Sequence, residues 1–114
     1  MPEIDFAMEA VHFSDKIAGA DLILTGEGRI DDTTAHGKTI AGILRAAQKS
    51  NAVVVAIAGS IAGDLDELYR MGLAACFSIS EGPMDLDESK RRAAELIERA
   101  SERVTRLFLA ARKP

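Results

Sequence analysis

A chain of 114 residues is long enough to bury one hydrophobic core without disulfides or structural metals, so one compact domain is expected. Its 14 Lys and Arg against 18 Asp and Glu give a net charge of -4, and it has one Tyr and no Trp, which argues against nucleic-acid binding. No apolar run approaches the ~18 residues of a bilayer span, and no signal segment opens the chain, so we expect a soluble cytoplasmic protein without a membrane partner. The single cysteine, Cys76, excludes a disulfide framework and is predicted to be a buried, inert thiol.

Strands and helices are predicted to alternate along the whole chain. Apolar runs without polar alternation predict strands covered on both faces, at residues 20–25, 52–58 and 73–79. Helical spacing of apolar residues is found at residues 4–18, 40–47, 64–72 and 85–108. The order α-β-α-β-α-β-α, with right-handed crossovers, predicts a single Rossmann-like, three-layer α/β domain with a mainly parallel sheet over residues 1–114.

The last predicted helix has one apolar stripe and one charged face. It is predicted to begin at Asp85, with Glu88 three residues later, whereas the helix at residues 64–72 is predicted to be capped by Asp64. Acid-before-base pairs at i, i+4 predict a solvated surface rather than a binding patch. These pairs are Glu88/Arg92, Glu95/Arg99 and Glu102/Arg106.

Polar and glycine-rich segments follow each predicted strand, at residues 26–31, 59–63 and 80–85. The carboxyl ends of parallel strands meet at one edge of a sheet, where α/β proteins bind their ligands. We therefore expect the three segments to face one crevice.

The first of these segments fits neither common phosphate-binding motif. Gly-Lys-Thr at residues 37–39 would end a Walker A loop, but that loop needs a glycine where Asp32 stands. Gly-Glu-Gly at residues 26–28 could begin a dinucleotide fingerprint, but that motif needs a third glycine where Asp31 stands.

What remains is a strand-to-helix segment rich in charge. Glu27, Arg29, Asp31 and Lys38 bring both signs to one strand end, and the following helix start can bind an anion. A structural explanation is also open, in which the glycines only permit positive φ and Arg29 pairs with Asp31 or Asp32 on the surface. Solvated charges need no surrounding glycines, and this favours a functional segment.

These residues resemble the type I glycerate kinase family. Residues 25–31, Thr34 and residues 36–39 are similar to its central signature, and residues 56–60 and 78–84 are similar to later segments in the same order. The resemblance covers nearly the whole chain. Family members are much longer, however, and their N-terminal segment and second α/β domain have no counterpart here.

The resemblance implies ATP-dependent phosphorylation of glycerate to phosphoglycerate, with Mg²⁺. Because the family's cleft lies between domains, this chain is expected to hold part of the site, and a companion chain would supply the missing N-terminal portion. Uncovered apolar surface would also suit a homodimer. The alternative is a non-catalytic α/β module for ligand binding or association.

Phosphoryl transfer needs positioning and positive charge more than covalent chemistry. We therefore expect Arg29 and Lys38 to bind phosphate or the glycerate carboxylate, Arg29 being suited to bidentate pairing. Asp31 would bind Mg²⁺ or orient the acceptor hydroxyl, with Glu27 as a weaker candidate for either role. The family usually has a glutamine where Thr33 stands, which would change one polar contact.

Other residues of these segments are expected to contact ligand. Ser60 fits a ligand contact and a helix or turn cap equally well, and His36 is expected to orient the loop rather than to catalyse. The predicted ligand-contact set is Gly26, Glu27, Gly28, Thr34, Gly37, Gly59 and Ser60.

Overall fold

A computed structural model describes residues 22–113 and contains one parallel three-stranded sheet. Its strands are β1 (Leu22–Ile30), β2 (Val53–Ile61) and β3 (Leu73–Ser78), in the order β1-β2-β3. The long β1–β2 pairing is regular, whereas the β2–β3 register shifts between Val54 and Val55. The helix predicted at residues 4–18 lies outside the described residues.

Helices follow each strand. Their bounds are a 3-10 turn (Thr34–His36), α1 (Lys38–Ala47), α2 (Asp66–Arg70), α3 (Leu86–Arg91) and α4 (Ala93–Ala111). Gly72, with φ of +112°, lies between α2 and β3. Within residues 22–113, no helix combines the length and the apolar character that crossing a membrane requires.

The core is divided between the two faces of the sheet, because successive side chains of a strand point to opposite sides. One cluster joins the strands to α1 and α2 and includes Ile23, Val54, Ala56, Ile40, Leu44 and Leu68. The other cluster joins the sheet to α4 and includes Ile57, Ile79, Leu96 and Ala100. The predicted α/β architecture of helices on both faces of a parallel sheet is therefore confirmed for the described residues.

The first two strands are longer than predicted. β1 continues to Ile30 and β2 to Ile61, so residues 26–30 and 59–61 are paired strand rather than loop. Glycine and charged residues are usually depleted in strands, but here pairing with the neighbouring strand overrides that preference. The segment after β3 is a loop, as predicted.

The last predicted helix is two helices that meet at Arg92, where φ is -101° and ψ is 10°. Asp85 caps α3, since its side chain accepts a hydrogen bond from the backbone N–H of Glu88 at 2.8 Å. The predicted cap at Asp64 is wrong, because the residue that precedes α2 is Leu65, which provides no side-chain cap. Two of the predicted pairs form, Glu88/Arg92 at 3.2 Å and Glu95/Arg99 at 2.9 Å. The third pair, Glu102/Arg106, does not form an ion pair.

Candidate functional site

A cavity of about 530 Å³ lies where the second halves of β1 and β2 meet α3 and the start of α4. Ile79, directly after β3, also lines the cavity. The first and second predicted segments therefore share one cavity, as expected for neighbouring parallel strands, whereas residues 80–85 do not line it. It is lined by Gly26, Glu27, Gly28, Ile57, Ala58, Gly59, Ser60, Ile79, Leu86, Ser89, Lys90, Ala93 and Ile97.

The structure brings part of the predicted ligand-contact set together at this cavity. Gly26, Glu27 and Gly28 reach it from β1, and Gly59 and Ser60 reach it from β2. Ser60 lies inside the strand, paired in register with the β1 chain, so the cap interpretation of this serine is wrong. Its role as a ligand contact stays a prediction.

The predicted catalytic residue Asp31 is held in a network of its own beyond the end of β1. Its Oδ2 accepts a hydrogen bond from Nε of Arg29 at 2.9 Å. Its Oδ1 accepts from the backbone N–H and from the hydroxyl of Thr33, at 2.9 and 2.6 Å. The backbone N–H of Asp31 donates to the hydroxyl of Thr34 at 2.9 Å.

This network determines the charge of the Asp31 carboxylate. The hydrogen bond from the Thr33 hydroxyl and the one from Arg29 lower the pKa of Asp31 to about 2. The side chain is therefore ionised at neutral pH and is a weak general base. The surface pairing of Arg29 with Asp31 that the sequence left open is present, and Thr33, which stands where the family usually has a glutamine, contributes two of the hydrogen bonds.

The residues that begin α1 lie next to this network. The 3-10 turn carries Thr34 and His36, and the backbone N–H of Gly37 donates to the carbonyl of Thr34 at 2.9 Å. Lys38 is the first residue of α1 and is exposed. Arg29, Asp31, Thr34, Gly37 and Lys38 do not line the cavity, so their functional roles stay predictions.

Sequence reasoning missed the residues that α3 and α4 contribute to the cavity. Leu86, Ser89 and Lys90 lie on α3, and Ala93 and Ile97 lie on α4. The i, i+4 spacing of Leu86 and Lys90 could have shown that they share a helix face. It could not have shown that this face turns toward the strand ends.

The loop between β3 and α3 is tied to α4 through Glu81. Its carboxylate accepts hydrogen bonds from Arg103 at 2.6 Å and from Arg99 at 3.0 Å, and Arg92 approaches it at 3.5 Å. The hydrogen bond from Arg103 is the main cause that lowers the pKa of Glu81. Part of the charged face that we expected to be only solvated therefore binds this loop.

Residues 22–113 contain no group of three or more His, Cys, Asp and Glu side chains that could hold a metal ion. The predicted metal ligand Asp31 thus offers one carboxylate from the described part of the chain. Cys76 is partly buried against the core, and burial raises the pKa of its thiol to about 11, in keeping with an inert residue.

The chain is similar to several proteins of one family. A sequence model described as the glycerate kinase family matches residues 1–109. A glycerate kinase of Bacillus subtilis (strain 168) is 45% identical over 98 residues, 86% of this chain and 26% of that protein. A glycerate 2-kinase of Escherichia coli (strain K12) is 36% identical over 101 residues, 89% of this chain and 26% of that protein.

Solved structures give the same likeness. The crystal structure of a Salmonella typhimurium LT2 protein assigned as glycerate kinase 2 superposes with a TM-score of 0.60 at 35% identity, over 91% of this chain and 26% of that one. The chain spans about a quarter of the length of the curated relatives it matches.

Proposed function

The chain belongs to the glycerate kinase family, and we propose that it forms part of an enzyme that transfers a phosphoryl group from ATP to a hydroxyl of glycerate. The observation that carries the proposal is the cavity at the strand ends, because the family signature of β1 and the later segment of β2 both open into it. Sheets of this kind bind ligands at that edge.

Arg29 and Lys38 are the proposed anion-binding residues. Arg29 uses Nε for Asp31 and its side chain is 63% exposed, which leaves its two terminal nitrogens for a phosphate or a carboxylate. Lys38 stands at the start of α1, where the backbone N–H groups also favour an anion.

Asp31 is proposed to act through its charge rather than as a proton acceptor. A carboxylate with a pKa of about 2 takes up a proton poorly, but it can orient a hydroxyl or bind a cation. Mg²⁺ in kinases is commonly held by one or two carboxylates together with phosphate oxygens and water, so a single ionised carboxylate fits this ion. Mg²⁺ bound there would neutralise charge on the phosphate oxygens.

Complementation tests the proposal. The chain is mixed with a polypeptide that corresponds to the N-terminal part of its longer relatives, and formation of phosphoglycerate from ATP and glycerate is measured. We expect turnover that neither polypeptide gives alone. Absence of turnover at saturating companion would contradict the proposal and favour a non-catalytic module that binds ligand or a partner.

The assigned roles are tested in the same mixture with Arg29→Ala, Lys38→Ala and Asp31→Asn. Each substitution should lower kcat by about a hundredfold, the usual cost of removing one preorganised electrostatic group. Lys49→Ala is the matched control, because Lys49 is an exposed lysine just beyond the other end of α1. A variant that keeps normal turnover would show that its residue has no part in the reaction.

A further inference from the structure

The cavity is larger and more apolar than an organic acid requires. Its volume is about 530 Å³, within the ~300–1,000 Å³ typical of sites for larger small molecules. Glycerate carries an oxygen on every carbon and would leave polar groups unpaired against these walls. A ligand with one flat apolar part fits better. The apolar walls are Ile57, Ala58, Ile79, Leu86, Ala93 and Ile97.

Leu86 is the most informative of these walls. It is the first residue of α3, lines the cavity and is 67% exposed. A single exposed leucine on an open surface needs no explanation. At the mouth of a cavity, however, a bound apolar group would remove this side chain from water and gain binding free energy.

Lys90 lies one helical turn after Leu86 and provides a cation at the same cavity. Within the described residues its ammonium forms no ion pair, whereas Arg92 and Arg99 are paired with carboxylates. A lysine can lay its alkyl chain along an apolar wall and extend its ammonium to a phosphate. Arg91, the next residue, is exposed and does not line the cavity.

On the strand side of the cavity, opposite α3, glycines leave room for a ligand to contact the backbone. Gly26 and Gly28 of β1 and Gly59 of β2 border the cavity without side chains. A ring placed between these strands and α3 can therefore contact backbone on one side and Leu86 on the other. Arg29 and Lys38 do not line this cavity.

We propose that this cavity binds the nucleoside part of ATP, with Leu86 as an apolar wall against the base and Lys90 as a contact to the phosphates. The proposal rests on the proposed kinase function, to which it adds the place of the nucleotide. Glycerate then binds elsewhere, and Arg29 and Lys38 remain available for it or for the transferred phosphoryl group.

The test is an NMR titration of the isotope-labelled chain, with adenosine, ATP and glycerate added separately. We expect adenosine and ATP, but not glycerate, to shift amide signals of residues that line the cavity. Leu86→Ser should lower the affinity for adenosine and for ATP about fivefold, because an apolar contact is lost. Lys90→Gln should lower the affinity for ATP about tenfold and leave the affinity for adenosine unchanged, because a single charge-assisted contact to phosphate is lost.

Arg91→Gln is the matched control, since it removes a positive charge from the same helix outside the cavity. It should leave both affinities unchanged. The amide spectrum of each variant shows directly whether the fold is kept. Leu86, Lys90 and Arg91 are all exposed, so none of these substitutions is expected to disturb the core.

Three results would overturn the placement. If ATP shifts the amide signals only of residues outside the cavity, and its affinity is the same in both variants, the nucleotide binds elsewhere. If glycerate shifts the amide signals of residues that line the cavity, and Lys90→Gln lowers its affinity, the cavity is the acceptor site. Failure of the chain to bind adenosine or ATP would show that the cavity is not a nucleoside site. In each case turnover in the complemented mixture still decides the kinase proposal independently.

Discussion

Gly59 of β2 lies so close to Gly28 of β1 that a Cβ atom placed on Gly59 would be 2.7 Å from the Gly28 carbonyl oxygen. The two strands pair in register on either side of this contact, with Glu27 opposite Ala58 and Arg29 opposite Ser60. Both glycines line the cavity. The absence of side chains here therefore lets two strands approach each other at the edge of the candidate site.

We predict that Gly59→Ala lowers the free energy of unfolding by about 1–3 kcal/mol, the usual cost of forcing a group into filled space. Gly42→Ala is the control, because Gly42 lies inside α1 and a Cβ there meets nothing within 4 Å. That change should raise the free energy of unfolding by about 0.5–1 kcal/mol. Urea denaturation measures both, and a Gly59→Ala variant as stable as the parent would show that the strands separate readily at this point.

The same contact shows why the ends of the strands could not be predicted. Composition correctly indicated the apolar halves of β1, β2 and β3, because buried parallel strands are apolar throughout. The extension of β1 through Arg29 depends on backbone pairing with Ser60, and backbone pairing leaves no pattern in side-chain type. Local propensity therefore predicted a loop where the sheet continues.

The residues of the candidate site also fall into those that the sequence could predict and those that it could not. Gly28 and Ser60 could be predicted because parallel strands bring their carboxyl ends to one edge. Lys90 could not, because its place at the cavity depends on the break at Arg92 and on the direction of α3. Arg92 continues the charge pattern of the helix, and neither proline nor glycine marks the break.

Thr25 is a buried residue whose replacement should stabilise the protein. Its side chain is fully buried in β1, and its hydroxyl has no hydrogen-bond partner among the described residues. Thr25→Val keeps the β-branched shape and removes the unsatisfied group, so the free energy of unfolding should rise by about 1 kcal/mol. Thr25→Ser, which keeps the hydroxyl and loses the methyl group, should be less stable than the parent. A destabilised Thr25→Val protein would mean that the hydroxyl is hydrogen-bonded in solution.

The Asp31 network predicts a specific dependence of stability on acid. The pKa of this carboxyl falls from its ordinary 3.8 to about 2 in the folded chain, chiefly through the Thr33 hydroxyl and Arg29. A lowered folded pKa means that the unfolded chain takes up the proton first. The stabilisation is therefore complete above about pH 4 and is lost as the pH falls from 4 to 2.

This dependence is measured by urea denaturation of the parent and of Asp31→Asn across that pH range. The stability difference between the two proteins should be constant near neutral pH and should shrink between pH 4 and pH 2. Asp32→Asn makes the same change of charge on the exposed neighbouring residue and serves as the control. A difference between parent and Asp31→Asn that does not vary with pH would contradict the network.

Glu81 is predicted to hold the loop between β3 and α3 against α4. Glu81→Gln keeps the size of the side chain but leaves Arg92, Arg99 and Arg103 without their shared carboxylate, so their mutual repulsion should loosen the loop. Hydrogen exchange of the amides of residues 80–91 should become faster, and the difference from the parent should diminish at about 1 M salt, where charges are screened within ~3 Å. Glu98→Gln removes an exposed carboxylate of α4 that forms no ion pair with the other residues of 22–113, and it should leave exchange unchanged. α3 carries Leu86 and Lys90 to the cavity. Unchanged exchange in Glu81→Gln would therefore mean that the arginine contacts do not hold this wall of the cavity in place. Exposed ion pairs often contribute little to stability.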